Sequence, residues 1–144
     1  MFHHIKIFVS TTLICFLVSC GNKESSTRIP VSTKSTEAET LLHEALKLNS
    51  ISKGDEAKKK LLKAIEVDEN FGFAYIVLST FGTNTVAETD KYYEKAVSLK
   101  NDLNEVEQCM LEVRTSYREN DTEKRMKYSK KILELIPENA FAHL

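Results

Sequence analysis

Three short stretches of this chain repeat one another, and their spacing constrains the fold more than any single residue does. Lys63-Ala64-Ile65-Glu66-Val67, Lys95-Ala96-Val97-Ser98-Leu99 and Lys131-Ile132-Leu133-Glu134-Leu135 align at offsets of 32 and 36, whose mean is 34. Gly72-Phe73-Ala74-Tyr75 returns as Ala140-Phe141-Ala142-His143 at an offset of 68, twice that period. A period of this length marks a supersecondary unit that cannot bury its apolar face alone and must stack on copies of itself. Within the unit the apolar residues recur three and four apart. Leu41, Ala45 and Leu48 form one stripe, and Ala57, Leu61, Ala64 and Ile65 another, separated by Ser52-Lys53-Gly54. Two amphipathic helices joined by a short turn make a hairpin. With only four Gly and two Pro in 144 residues and no long alternation of Val or Ile with polar residues, strands have little to be built from.

The spacing therefore predicts an all-α chain with helices near 37–50, 54–68, 72–82, 86–100, 103–119 and 121–136, and a seventh starting at Ala140. Thr36 with Glu39, and Thr85 with Glu88, have the spacing of capping boxes. The pattern resembles the tetratricopeptide repeat family, whose unit is a 34-residue helix-turn-helix with small residues at set places. Ala45, Ala57 and Ala64 stand at those places in the first unit, and Tyr75, Leu78 and Ser79 fit the first helix of the second. Small residues let paired helices approach closely, while Leu61 and Tyr93 fill the gaps between hairpins. The chain departs from the family where Glu69 and Asn101 replace a common Pro, which only Pro137 keeps. It departs again where Val113, Arg125 and Ile132 replace small residues, so the third pair is expected to sit farther apart or in a shifted register. The resemblance implies tandem antiparallel hairpins in a right-handed α-solenoid, with units over 37–71, 72–102 and 103–139 and the start of a fourth over 140–144.

The N-terminus differs in kind. Lys6 precedes a run from Ile7 to Val18 that is apolar or weakly polar, and at about a dozen residues it falls short of the roughly 20 a spanning helix needs. It reads as a signal peptide over 1–19. Leu17-Val18-Ser19-Cys20 resembles the lipobox of bacterial lipoproteins, which implies cleavage before Cys20, acylation of its thiol and anchoring of the mature chain in the cell envelope. Gly21, in place of an Asp, implies by the same analogy the outer membrane. Residues 20–36 then read as a lipidated start and flexible tether, rich in Ser, Thr, Lys, Glu and Asn, spanning about 20 Å as a coil. Removal of the leader also removes Cys15, so Cys109 has no disulfide partner, and packing in an amphipathic helix with Val106, Met110 and Val113 is its expected role.

Charge and chemistry narrow the function. A net charge of −1 excludes a nucleic-acid binder driven by bulk charge. His43 and His143 stand far apart without metal-ligand spacing, and no Gly-rich phosphate loop or nucleophile elbow occurs, so no catalytic residue, metal or cofactor is expected. Lys58-Lys59-Lys60 and the basic run from Lys124 to Lys131 lie among acids and read as solvated faces. The family's first helices line an inner groove, which places Glu39, His43, Leu46, Phe73, Ile76, Thr80, Met110, Arg114 and Tyr117 there as partner-binding residues. The resemblance implies a non-enzymatic, lipid-anchored scaffold that binds a protein or peptide of the envelope. Two alternatives stand beside it. The chain is either the N-terminal piece of a larger repeat lipoprotein whose carbohydrate-binding or enzymatic activity lies beyond Leu144, or a module that self-associates through an uncapped C-terminal end.

Overall fold

The computed structural model describes residues 29–137 of the chain. The expectations for the signal peptide, for Cys20 with the first part of the tether, and for a unit starting at 140 lie outside the described residues. Among the described residues the structure is all-helical: α1 Thr36–Ser50, α2 Gly54–Val67, α3 Gly72–Leu78, α4 Val86–Ser98, α5 Glu105–Glu119 and α6 Thr122–Leu135, with one 3-10 turn, Lys100–Asp102. The helices pack as three sequential pairs, α1 with α2, α3 with α4 and α5 with α6, and α3 bridges the pairs by touching α2 and α5.

Each helix begins and stops for local reasons. Ser35, rather than Thr36, caps α1, its hydroxyl accepting from the Ala38 amide at 3.1 Å, so the expected Thr36–Glu39 box gives way to a cap one residue earlier. Thr85 and Glu88 form the reciprocal box expected at α4. Asn104 and Glu107 form another at α5. The turn between α1 and α2 passes through Ser52 at φ 61, and α5 ends at Asn120 with φ 55. In both, a short polar side chain occupies the left-handed region, which Asn tolerates well.

The main difference from the expected helices is α3, which ends at Leu78 rather than near 82. Ser79 and Thr80 turn their hydroxyls back onto the carbonyls of Ile76 and Val77, both at 2.7 Å, and the Asn84 side-chain amide takes the Leu78 carbonyl at 2.6 Å. Acceptors that a further helical turn would need are thus already occupied.

The core follows the spacing. Ala45, Ala57 and Ala64 are buried, as are Ala38, Ala74 and Ala96, and the large side chains Leu42, Leu61, Phe71, Phe73, Leu78 and Leu111 fill the space these alanines leave. Tyr93 bridges α4 and α5: its hydroxyl lies 3.0 Å from Thr115 Oγ1, and the Arg118 guanidinium sits 4.3 Å above its ring. Cys109 is buried and unpaired, and burial pushes its thiol up from its ordinary value.

The third pair is built differently. Ile132 is the buried residue of α6, and around it the contact with α5 is rich in ion pairs. Lys124 reaches Glu112 at 2.9 Å and Glu119 at 3.1 Å, and Lys131 reaches Glu105 at 2.7 Å. Burial alone would raise the Glu112 carboxyl, but hydrogen bonds from Lys100 and Lys124 outweigh it and hold it below the usual carboxylate range.

Gly72 opens α3 where two hairpins meet. A Cβ there would fall well inside van der Waals contact with Leu103 Cδ2 and 3.4 Å from Leu99 Cβ. Gly72→Val is expected to cost about 1–3 kcal/mol through overpacking. Gly72→Ala should cost clearly less, because the single methyl displaces only the end of one Leu side chain. Urea denaturation of both variants checks the order, and equal stability of the two would show that the junction is loose.

The segment before α1, expected to be tether up to residue 36, is instead docked from Ile29 onward. Ile29 is buried at 3% exposure within the main core. The Pro30 carbonyl accepts from the Asn104 side chain at 2.9 Å, the Ser32 amide donates to Glu107 Oε1 at 2.9 Å, and the Thr33 hydroxyl donates to Asp68 Oδ2. Two apolar residues in a polar stretch were enough, because α5 offers a buried carboxylate to receive the backbone.

Candidate functional site

Seven of the nine residues placed in the groove by the sequence line one concavity of about 430 Å³: Leu46, Phe73, Ile76, Thr80, Met110, Arg114 and Tyr117. It spans α1, α3 and α5, the first helix of each pair. The shortness of α3 helps to form it, because the chain turns away after Leu78 and leaves Thr80 at its edge. Glu39 and His43 are not in the lining. They face each other one helical turn apart on α1, with Nε2 and Oε1 3.6 Å apart.

Five lining residues escaped the sequence reading: Asn49, Val77, Val113, Ser129 and Ile132. Asn49 and Val77 lie one turn or less from Leu46 and Ile76, which the sequence had assigned to the groove. Ser129 and Ile132 come from α6, a second helix of its pair, which the rule of first helices passes over. Ile132 is the buried residue of α6, and from there it reaches the hollow.

The lining holds one formal charge. Arg114 donates from Nε to Ser79 Oγ at 3.2 Å and from Nη2 to the Ser79 carbonyl at 2.7 Å. Burial pushes its guanidinium below its ordinary value, and the nearby Arg118 adds to the effect. Above it, Tyr117 is stacked beneath Arg125, 4.6 Å from the ring centroid. The chemistry available is that of recognition: an apolar floor, hydroxyls at the rim and one oriented cation.

Elsewhere the charged runs are satisfied. Lys58 pairs with Glu88 at 3.1 Å and Lys60 with Glu44 at 2.6 Å, which agrees with a solvated face rather than a binding strip. A larger, shallower hollow of about 750 Å³ lies between residues 32–35 and the turn after α2, and its lining is mainly polar and open to water. Among the described residues no cluster of His, Cys, Asp and Glu suits a metal ion, and no helix is long and apolar enough to cross a membrane. Comparison with known families, curated proteins and solved structures finds no match to the chain.

Proposed function

We propose that this chain is a lipid-anchored, non-catalytic binding module of the bacterial cell envelope. In this reading its three helix pairs are tetratricopeptide-like units of a right-handed solenoid, and the concavity across α1, α3 and α5 receives a protein or peptide. The observation that carries the reading is the composition of that concavity: nine residues from the first helices converge on it, with an apolar floor and a single charge. Such surfaces bind through shape and apolar area, with a few polar groups fixing orientation. The anchor rests on Leu17-Val18-Ser19-Cys20 following an apolar run, and the outer membrane on Gly21 after it.

Two measurements on the full chain in a bacterial host test this. Labelled palmitate is expected on the wild type and not on Cys20→Ala, and only the mutant should leave the membrane fraction. A photo-crosslinking residue at the exposed Thr80 is expected to capture an envelope protein that the same probe at Lys59, on the opposite kind of surface, does not. Equal capture at both sites would remove the groove from the reading.

A second reading is favoured by α6, where Met126 is 68% exposed and Leu135 also reaches solvent. An inner helix of a repeat array would have such residues covered by the next unit or by a second copy. The described hairpins would then open a longer lipoprotein, with carbohydrate-binding or enzymatic activity beyond Leu144. Reading the gene past Leu144, and measuring mass against concentration, separates these outcomes.

A further inference from the structure

Arg114 is placed to do more than fix a helix. A guanidinium carries five N–H donors, and the Ser79 hydroxyl and carbonyl engage two of them. Asp90 acts on Arg114 through space, but it is ion-paired with Arg118 at 2.7 Å and lies outside the lining of the concavity. The lining of the concavity contains no Asp or Glu, although acids outnumber bases in the chain as a whole. A half-buried cation with no carboxylate in its own pocket, set among apolar side chains, offers a place that a ligand's carboxylate can take.

Ser79 also orients this cation. Holding Nε and Nη2 on one side fixes the guanidinium plane and turns its remaining edge away from α3. The rim hydroxyls of Thr80, Tyr117 and Ser129 supply neutral hydrogen bonds beside it. One positive charge balances one carboxylate, whereas a dianionic phosphate would call for a second cation in the lining, and the lining has none.

Resting on the peptide-binding reading above, we infer that the concavity selects an apolar peptide segment carrying one acidic side chain, whose carboxylate is received by the free edge of the Arg114 guanidinium. Val77, Met110, Val113 and the exposed Tyr117 hold the apolar residues that flank the acid. Charge complementarity decides register here and apolar area supplies the affinity.

The test is selection of random twelve-residue peptides, displayed on phage, against the full chain. Enriched sequences are expected to share one Asp or Glu between aliphatic or aromatic residues. A synthetic peptide of that sequence should bind about thirtyfold or more weakly when its acid is replaced by the amide. Arg114→Gln should weaken the acidic peptide by a similar factor and leave the amide peptide nearly unchanged, and Arg114→Lys should recover part of the loss. Unfolding midpoints measured alongside ensure that each variant is folded, and Thr80→Trp, at an exposed position, blocks the groove while keeping the Arg114 side chain. Enriched peptides that Thr80→Trp excludes, but that bind equally as acid and amide, would overturn the role of Arg114 and leave the groove reading standing. Peptides that bind Thr80→Trp undiminished would overturn the groove itself. A long-chain fatty acid that binds in an Arg114-dependent way, with no peptide enriched, would overturn the peptide class.

Discussion

Phe71→Ala should lower the unfolding free energy by about 3–5 kcal/mol, the largest effect expected of any single substitution here. Phe71 is fully buried at the start of α3. Its amide donates to the Asp68 carbonyl at 3.1 Å and its carbonyl accepts from the Ala74 amide at 3.1 Å, so the side chain is fixed by backbone bonds on both sides. It therefore has little freedom to be replaced by collapse of its surroundings, and the residual cavity adds to the lost transfer energy. Phe71 lies in the turn between α2 and α3, so a void there weakens the coupling of α1 and α2 to the rest. Domains of this size are stable by about 5–15 kcal/mol in total, so the variant should unfold at much lower urea and with a less cooperative transition. Tyr117→Ala, at a residue 59% exposed, should stay within about 0.5 kcal/mol of the wild type. A Phe71→Ala loss below about 1 kcal/mol would show that the junction is not packed as described.

Glu107→Ala should release the segment from Ile29 to Thr33. The carboxylate is fully buried and divides its oxygens, Oε1 to the Ser32 amide and Oε2 to the Asn104 amide, both at 2.9 Å. Truncation orphans two amides, at about 1–3 kcal/mol for each that stays buried. Hydrogen exchange at Ser32 should rise sharply while the amides of α2 keep their protection. Glu107→Gln keeps one acceptor and should lose less. Acid sharpens the test. Burial raises the Glu107 carboxyl above its ordinary 4.5, against the opposing pull of the Ser32 and Asn104 hydrogen bonds. A group raised in the folded state contributes stability that is full below the unfolded value and is lost as pH rises through the folded one. On going from pH 7 toward 4.5, the wild type should therefore gain on Glu107→Gln. A stability difference that does not change with pH would show that the carboxyl is not desolvated.

Much of this architecture was legible because helix signals are local. Apolar residues three and four apart set five of the six helices to within two residues at each end, and the Thr85–Glu88 box was visible as spacing. The failures share a cause. The end of α3 depends on Ser79, Thr80 and Asn84 competing for carbonyls, which propensity and periodicity do not register. The docked segment depends on Glu107, 75 residues away from Ser32, and nothing near Ile29 announces it. In the concavity, residues on first helices follow from the repeat, whereas Ser129 and Ile132 depend on how α6 sits against α5. That contact combines the buried Ile132 with ion pairs to Glu105, Glu112 and Glu119, which a sequence displays only as alternating charge.

The docked segment also sets an order of events. During synthesis Ile29 and Ser32 leave the ribosome early, but the carboxylate that receives Ser32 is made 75 residues later. Until Glu107 is in place the Ser32 amide lacks its acceptor, so the contact that ties the start of the domain to α5 waits on the third helix pair. Closing so long a loop is entropically slow compared with closing any hairpin turn. The start of the domain is complete only once its third helix pair is in place.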